Sequence, residues 1–416
     1  MTSPELQITT YLVGGAVRDK LLNRDSYDHD YVVVGSTVNQ MLSLGFTQVG
    51  KDFPVFLHPK TKDEYALARI ERKVDTGYTG FTCDASELVT IEEDLLRRDL
   101  TINAMALKSN GEIIDPYNGQ EDLKNRIFRH VSDAFVEDPL RVLRVARFAA
   151  RYHSYGFTIA KETLALMTQI SQGNELQSLS SERVFIELNK SLLEQHPEVF
   201  FETLKACGAL SVLLPEIETL WGIPNPVKWH PEICSGIHTM MVLQQAVKLS
   251  NKAEVRFAAL CHDLGKGITP EEEWPSHRGH EKSGLPLVKA LCKRLKIPNS
   301  YQTLALKVCE YHLHCHKAFE LKPSTILRVF NALDVWRKPE EFNDFILACT
   351  ADMRGRTGFE DKEYPQADYL HACLQAAQKV TAKAFVEQGL KGLAIKEAIE
   401  KERLNAIKAV KDSLSS

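Results

Sequence analysis

The sequence contains little that would direct the chain into a membrane or out of the cell. No stretch approaches the run of about 18 apolar residues that a membrane-spanning helix needs. Residues 1–10 contain neither the basic segment nor the apolar run of a secretory signal. We therefore expect a protein that has no membrane partner and works in the cytoplasm.

Positive charge is not in excess either. Lys and Arg number 51 against 55 Asp and Glu, which gives a net charge of −4. A chain so close to neutrality does not attract a phosphate backbone over its whole surface. A nucleic-acid partner would therefore have to be bound by a local basic patch.

Cysteine pairs at metal-binding spacing are missing as well. The nine cysteines are scattered between Cys83 and Cys373, their number is odd, and no C-x-x-C pair occurs. This pattern argues against a zinc ribbon and against a framework of disulfides. It is typical of reduced, buried thiols in a cytoplasmic enzyme.

The first part of the chain has the pattern of a sheet. Of the 416 residues, 44% are hydrophobic, which is enough for more than one core. Up to about residue 130, short β-rich runs alternate with turns. The clearest of these runs are Tyr31–Val34, Glu64–Ala68 and Glu112–Asp115.

The rest of the chain has the pattern of helices. Leu and Val recur every three or four residues from about 134 to 220. The segment Trp221–Pro226, with its prolines and glycine, then predicts a linker. Seven of the 14 histidines follow between His238 and His316, and Leu390–Lys411 predicts an amphipathic packing helix.

Two glycines follow an apolar run near the start of the chain, in the segment YLVGGAVRD at residues 11–19. Glycines let backbone N–H groups approach an anion, and a helix N-terminus adds partial positive charge. The guanidinium of Arg18 can bind phosphate oxygens with two hydrogen bonds. Taken alone, the segment is equally compatible with a plain tight turn.

Two carboxylates follow ten residues later. Asp28 and Asp30 lie at the start of a β-rich run, so their side chains project from the same face. Adjacent carboxylates repel each other unless a cation lies between them, and Mg²⁺ is usually held by carboxylates together with substrate phosphates. With the glycine pair nearby, the pattern favours metal-dependent phosphoryl chemistry over a solvent-exposed strand end.

Arginines dominate two further segments. Arg97-Arg98-Asp99 precedes Asn103 by a few residues, and Asp138 precedes a predicted helix. On that helix the arginines share about a third of the circumference, which indicates a stripe that faces anions. An Asp–Arg pair there could also recognise the edge of a nucleotide base. The arginines of the stripe are Arg141, Arg144, Arg147 and Arg151.

The histidine-rich region contains a second set of metal-binding side chains. Neutral imidazole and carboxylate together suit divalent transition metals, which can activate water for phosphoester hydrolysis. The set comprises His238, the tandem His262-Asp263, His280, His312 and Asp352.

In order and spacing, the first set of motifs resembles tRNA nucleotidyltransferases, and more narrowly bacterial CCA-adding enzymes. The resemblance runs from residue 11 to about 230. It rests on the segments Gly14–Asp19, Asp28-x-Asp30, Arg97–Asn103, Glu137–Arg141 and Ser181–Arg183. The fold that it implies is α+β. A polymerase β-type nucleotidyltransferase head with a mixed or antiparallel sheet is followed by an all-α neck and body and an all-α HD domain.

The resemblance also implies roles in the head. Asp28 and Asp30 would be catalytic and hold Mg²⁺. Residues 72–83 would form a flexible loop that helps the switch from C to A addition. A third metal carboxylate cannot be placed, and Glu71 is only a neighbouring candidate. The nucleotide, ATP or CTP, would be bound by Gly15, Arg18, Arg98, Asp138, Arg141, Arg144 and Arg147, with Asp138 and Arg141 as the protein template.

The second set resembles the HD phosphohydrolase superfamily, and a subgroup of bacterial CCA-adding enzymes carries such a domain. A metal such as Ni²⁺ would be held by His238, His262, Asp263 and Asp352, with His280 and His312 nearby. Some relatives have a second His-Asp where this chain has His312-Leu313, and His314 and His316 are interpreted as exposed polar positions.

Together the resemblances imply an enzyme that adds CCA to tRNA, with phosphatase, 2′-nucleotidase or 2′,3′-cyclic phosphodiesterase activity from the HD domain. The expected partners are tRNA, ATP and CTP, in a monomer or weak homo-oligomer. The alternatives are a poly(A) polymerase, a CC- or A-only enzyme, and an HD phosphohydrolase whose head only binds RNA. The expected domains are 1–135 for the head, 136–230 for the neck and body, 231–345 for the HD domain and 346–416 for the tail.

Overall fold

A computed structural model of the chain describes residues 7–25, 29–49, 55–73, 81–228 and 230–413, without the side chains of 71–73 and 81–83. Asp28 and most of the predicted loop at 72–83 lie outside the described residues. By their internal contacts the residues divide into two units. Unit 1 comprises Met1–Glu187 and Val199–Leu213, and unit 2 comprises Leu188–Glu198 and Leu214–Ser416.

The strands all lie in unit 1. All but the last fall within about the first 130 residues, where the sequence predicts a sheet, and the last lies in the part that the sequence predicts to be helical. In the described residues they are β1 (Thr9–Val13), β2 (Asp30–Val34), β3 (Thr47–Gln48), β4 (Val55–Leu57), β5 (Glu64–Leu67), β6 (Ile70–Lys73), β7 (Phe81–Asp84), β8 (Ala106–Leu107), β9 (Ile113–Ile114), β10 (Ile127–Phe128) and β11 (Thr158–Ile159).

Seven of these strands form one mixed sheet in the order β3-β4-β5-β2-β1-β8-β9. Strands β2 and β5 run parallel, and the other neighbours are antiparallel. Successive side chains of a strand point to opposite faces. Accordingly, Val32 packs into a core with Leu95 on one face of the sheet, and Val33 packs into a core with Phe56 on the other. Both faces are therefore covered.

Helices lie against this sheet and continue through the rest of unit 1. They are α1 (Gly15–Leu21), α2 (Val38–Ser43), α3 (Ile91–Leu96), α4 (Gly119–Asn125), α5 (Leu140–Tyr152), α6 (Lys161–Gln172), α7 (Ser181–Leu192, whose last residues belong to unit 2), α8 (Pro197–Ala206, whose first two residues belong to unit 2) and α9 (Ala209–Leu213). As its amphipathic pattern predicts, α5 buries its apolar residues, among them Val142, Leu143 and Ala146.

Unit 2 is built from helices. They are α10 (Pro215–Glu218), α11 (Ser235–Leu249), α12 (Ala253–Cys261), α13 (His280–Arg294), α14 (Asn299–His316), α15 (Pro323–Leu333), α16 (Pro339–Arg354), α17 (Pro365–Gln378), α18 (Ala382–Glu387) and α19 (Leu393–Ser413). Helices α11, α12, α14 and α16 pack against one another, and α19 packs on α15 and α17. The final helix thus has the packing role that its sequence predicts.

The prediction of a linker at Trp221–Pro226 is wrong. The ring of Trp221 lies so close to Gly236 that a Cβ there would come within 2.5 Å of it. A backbone bridge joins Pro224 to Cys234. Proline and glycine shape this segment into a turn that packs on α11, so it forms part of unit 2.

Candidate active sites

The glycine pair lies where β1 meets α1, at the same end of the sheet as Asp30. The antiparallel register of β1 and β2 places Asp30 directly opposite Val13, the last residue of β1. Gly14 then turns the chain with a φ of 68°, and α1 begins at Gly15. Asp30 is exposed at the start of β2. Gly15 and Asp30, which lie fifteen residues apart in the sequence, thus meet at one sheet end.

A further carboxylate lies beside Asp30. The parallel register of β2 and β5 pairs Asp30 with Glu64, so the two side chains project from the same face. Glu64 was missed in the sequence because only the strand pairing brings it there. Glu71 lies on β6 in a separate two-stranded sheet, and its side chain is outside the described residues.

Arg18 is buried, with 3% of its surface exposed. Its guanidinium donates two hydrogen bonds to the Asp19 carboxylate, at 3.0 and 3.2 Å, and one to Asn103 Oδ1 at 2.5 Å. The Tyr152 hydroxyl also donates to Asp19, at 2.8 Å. Burial alone would raise the pKa of Asp19, but the hydrogen bonds and charge of Arg18 lower it. Arg18 therefore anchors α1 to its neighbours.

The network continues from Asn103 to α5. Asn103 Nδ2 donates to Asp99 Oδ1 at 3.0 Å, and Arg144 Nε donates to Asp99 Oδ2 at 2.7 Å. Burial would raise the pKa of Asp99, but the charge of Arg144 and the two hydrogen bonds hold it well below its usual range. Asn103 and Asp99, four residues apart, thus connect Arg18 beside the glycine turn to Arg144 of the arginine stripe.

Asp94 orients the arginine pair that precedes this network. Arg97 Nη2 lies 2.8 Å from one carboxylate oxygen of Asp94, and Arg98 Nη2 lies 3.2 Å from the other. The Asp94 side chain is fully buried between them. On its other side the guanidinium of Arg98 reaches Gly14, where a Cβ would lie 2.9 Å from Nη1. The structure therefore brings Arg98 to the glycine turn.

Replacing Gly14 by Ala tests this close approach. The positive φ and the clash with Arg98 should together destabilise the protein by about 1–3 kcal/mol. The motif resemblance assigns Arg98 to the nucleotide site, so its displacement should also weaken CTP and ATP binding. Urea unfolding and nucleotide titration measure the two effects.

Gly35 is the matched control, because its φ is 69° and a Cβ there would meet nothing within 4 Å. Gly35→Ala should lose stability but keep its nucleotide affinity. Equal losses of nucleotide affinity in both variants would contradict a role for the Gly14–Arg98 contact.

The arginines of α5 contact carboxylates and carbonyl oxygens of the protein itself. Arg147 Nε lies 2.6 Å from Glu187 Oε2, and Arg144 is held by Asp99 as described. Arg141 donates to the carbonyl oxygens of Ala134, at 2.7 Å, and of Arg97, at 2.5 Å. The stripe is therefore largely compensated within unit 1.

Asp138 lies immediately before α5 and is held by Arg183. Arg183 Nη2 donates to both carboxylate oxygens of Asp138, at 2.9 and 3.1 Å, and the N–H of Leu140 donates to Oδ1. Asp138, two residues before α5, and Arg141, on the first turn of α5, are both half-buried. The segment Ser181–Arg183 thereby gains a physical role that the sequence left open.

The predicted HD residues meet in unit 2, where the described residues offer metal ligands in three groups. In each group, one ligand atom from every member lies within 4.8 Å of the others. The groups are His238–His262–Asp352, Asp263–His280–His312 and His230–Glu232–His238. The first two contain all six residues that the sequence selects.

The first two groups adjoin one another. Asp352 Oδ1 lies 3.2 Å from His238 Nε2 and 3.7 Å from His262 Nε2. His262 Nε2 in turn lies 3.1 Å from Asp263 Oδ2. Asp263 Oδ1 lies 3.1 Å from His280 Nε2 and 3.6 Å from His312 Nε2. The chain can therefore hold metal at this site.

A histidine that binds a metal ion must be neutral. Burial lowers the pKa of His312 to about 3. His262 differs, because Asp263 and Asp352 raise its pKa although burial alone would lower it. Its Nε2 atom and Asp263 Oδ1 are buried, and their contacts at 3.1 Å with Asp263 Oδ2 and His280 Nε2 lack the geometry of hydrogen bonds. Buried polar atoms whose hydrogen-bonding capacity is unused fit a bound cation.

Several residues around this site were missed in the sequence. Glu232 Oε1 lies 2.8 Å from His230 Nδ1 and 3.1 Å from His238 Nδ1. Lys266 Nζ lies 2.6 Å from Asp263 Oδ2 and donates to Asn225 Oδ1 at 2.9 Å. Three of these residues lie in or next to the supposed linker, which hid their role.

The interpretation of His316 as an exposed position is wrong. Only 15% of its side chain is exposed, and its Nε2 lies 2.6 Å from Asp352 Oδ2. The other ring nitrogen lies 2.7 Å from the Tyr364 hydroxyl. His316 lies four residues after His312, and on a helix this spacing predicts that both imidazoles share one face. His314, half-buried beside Tyr311, points elsewhere.

The eight cysteines whose side chains are described are free thiols. Burial raises the pKa of most of them, for example that of Cys292 to about 11. Among the described helices, none is long and apolar enough to cross a membrane.

Comparison with protein families divides the chain in the same order. Residues 10–129 match the Poly A polymerase head domain. Residues 156–220 match the probable RNA and SrmB-binding site of polymerase A, and residues 236–337 match the HD domain. Fold and sites thus define a nucleotidyltransferase joined to an HD domain.

The chain belongs to the family of multifunctional CCA proteins. It is 62% identical over 397 residues to the multifunctional CCA protein of Pseudoalteromonas atlantica, covering 95% of this chain and 98% of that protein. It is 59% identical over 407 residues to that of Haemophilus influenzae, covering 96% and 98%. The resemblance inferred from the motifs, the α+β fold class and the prediction of an enzyme are confirmed.

Solved structures share the fold. A CCA-adding enzyme in its apo form II has a TM-score of 0.67 at 22% identity and covers 98% of this chain and 89% of its own. A CCA-adding enzyme with ATP has a TM-score of 0.67 at 20% identity, covering 97% and 86%. The Thermotoga maritima enzyme complexed with tRNA has a TM-score of 0.62 at 21% identity, covering 99% and 92%.

Proposed function

We propose that this chain adds C, C and A to the 3′ end of tRNA from CTP and ATP without a nucleic-acid template, in tRNA maturation and repair. The observation that carries the proposal is the register that places Asp30 beside the Gly14–Gly15 turn. The multifunctional CCA relatives and the solved complexes with tRNA, ATP and CTP support the choice of substrates.

In this proposal Asp28 and Asp30 hold Mg²⁺, for which exposed carboxylates at a strand end are suitable oxygen ligands. Bound there, the ion would lower the pKa of the tRNA 3′-hydroxyl and neutralise charge on the phosphates. The hydroxyl attacks the α-phosphate and pyrophosphate leaves. Asp30 and the glycine turn orient the triphosphate relative to that hydroxyl, so the chain contributes mainly positioning.

The nucleotide is bound along the network that joins the turn to α5. Gly15 and Arg98 lie at the turn and contact the triphosphate, and the buried Arg18 keeps α1 in place for it. Asp138 and Arg141 present a carboxylate and a guanidinium that can read ATP or CTP, because the two groups offer complementary acceptors and donors. Arg144 and Arg147 complete the site, with their guanidinium groups fixed by Asp99 and Glu187.

The HD residues supply a second, hydrolytic activity on phosphate esters: phosphatase, 2′-nucleotidase or 2′,3′-cyclic phosphodiesterase. Imidazoles with carboxylates suit a transition metal such as Ni²⁺, which would activate a water molecule. The ligands would be His238, His262, Asp263 and Asp352, with His280 and His312 nearby. Cytoplasmic location, oligomeric state and the four predicted domain limits stay predictions.

The test is incorporation of labelled CTP and ATP into tRNA that lacks its 3′ end. We expect two C residues and one A, after which addition stops. Long runs of A would instead identify a poly(A) polymerase, and addition of only CC or only A would identify a partial enzyme. Hydrolysis without any incorporation would leave an HD phosphohydrolase whose head binds RNA.

A further inference from the structure

Arg356 lies at the edge of the HD site, two residues beyond the end of α16. Only 15% of its side chain is exposed, and its Nη2 atom lies 3.6 Å from Asp352 Oδ1. That distance is too long for a hydrogen bond. Its Nε atom is buried and has no hydrogen-bond partner among the described residues. The guanidinium therefore faces the site with donors that the neighbouring protein groups leave unused.

Support of Asp352 does not account for this arrangement. Asp352 already has a closer partner on each oxygen, His316 Nε2 at 2.6 Å and His238 Nε2 at 3.2 Å. A buried donor without a partner costs free energy, and in a native protein it calls for an explanation such as a ligand. The position of Arg356 is better explained by a group that binds next to Asp352.

The charges around the site indicate what that group is. Three carboxylates, those of Glu232, Asp263 and Asp352, face two permanent cations, Lys266 and Arg356. With neutral imidazoles the permanent charges total −1, and one divalent ion makes the total +1. The loaded site is then complementary to an anion, although the carboxylates alone would repel one.

We propose that Arg356 binds the phosphate of the substrate at the HD site. The proposal rests on the hydrolytic function proposed above and names the substrate class as a phosphate ester, with inorganic phosphate as the product that the same residue binds. A guanidinium is planar and presents paired donors that match two phosphate oxygens. Lys266 differs, because Asp263 and Asn225 already engage its ammonium group.

Calorimetric titration of the Ni²⁺-loaded protein with inorganic phosphate tests the proposal. Arg356→Gln should weaken phosphate binding about 10- to 100-fold, the usual worth of hydrogen bonds to a charged group. Arg356→Lys should recover part of the loss. The KM for phosphate esters should rise in parallel, whereas the dissociation constant for Ni²⁺ and the melting temperature should stay within about twofold and a few degrees of the wild type.

Arg354→Gln is the matched control, because it removes the same charge two residues away. Arg354 Nε donates to the carbonyl of Lys362 at 3.1 Å, so its guanidinium is engaged on the surface. This variant should bind phosphate as the wild type does. Unchanged phosphate binding in Arg356→Gln would overturn the proposal, as would a loss of Ni²⁺ affinity as large as the loss of phosphate affinity.

The same titration separates this inference from the hydrolytic function. If the wild type hydrolyses phosphate esters and Arg356→Gln binds phosphate equally well, only the inference fails. If the wild type binds phosphate without hydrolysing esters, the hydrolytic function fails. The role of Arg356 is then still tested by comparing phosphate binding of the wild type and Arg356→Gln. If the wild type does neither, both fail.

Discussion

Asp30→Asn should reduce the incorporation of C and A into tRNA by about three orders of magnitude, because a metal ligand supplies several kcal/mol of transition-state stabilisation. Asp30 is exposed at the start of β2, so the neutral side chain should leave the fold intact. Single-turnover incorporation measures the loss, and urea unfolding confirms that the variant is folded. Mg²⁺ titration should show a higher requirement for the ion.

Asp25→Asn is the matched control, since Asp25 is an exposed carboxylate five residues earlier in the chain. It should incorporate nucleotides at the wild-type rate. Glu64→Gln tests whether the neighbouring carboxylate also contributes to the metal site, because Glu64 lies beside Asp30 in the register of β2 and β5. Full activity of Asp30→Asn would show that the site at the glycine turn does not hold the metal.

The double substitution His262→Ala, Asp263→Asn should abolish hydrolysis of phosphate esters, with a loss of at least about three orders of magnitude. His262 and Asp263 belong to the two adjoining ligand groups, so the variant should also lose transition-metal affinity in calorimetric titration. CCA addition should continue at close to the wild-type rate, because these residues lie in unit 2 and the nucleotide network lies in unit 1.

His314→Ala is the control for this experiment. His314 lies on α14 near His312 but belongs to none of the three ligand groups. It should keep both activities. The double variant needs a stability measurement, because loss of the Asp263 charge leaves the buried Lys266 without its ion-pair partner. A folded double variant that loses both activities would contradict separate sites.

Local patterns predicted the strands and helices well. The β-branched run Tyr31–Val34 and the turn before Glu112–Asp115 predicted β2 and β9, and the spacing of apolar residues predicted α5 and α19. These signals reflect which face of a strand or helix is buried, and the periodicity of apolar residues in the sequence shows that face directly. The segment Trp221–Pro226 failed because its prolines and glycine indicate a turn without showing what the turn packs against.

The candidate sites were predicted less evenly. Order and spacing selected all six residues of the two adjoining groups that could hold a metal, since these residue types suit one. Their supporting partners were not predicted: Glu232 reaches His238 across a turn, and Tyr364 reaches His316 over 48 residues. The arginine stripe shows the same limit, because Arg147 meets its partner Glu187 only through the packing of α5 and α7.

The segment before α11 has a practical consequence for isolating the hydrolytic site as a fragment. A fragment cut at residues 231 and 345, the limits that the sequence predicts, would discard Asn225 and His230 at one end and Asp352 at the other. It would also remove two of the three acceptors of Arg256, the carbonyls of Leu192 and Glu194. An excised hydrolase would therefore have to begin upstream of Leu192 and extend beyond Tyr364, so most of the second half of the chain behaves as one indivisible piece.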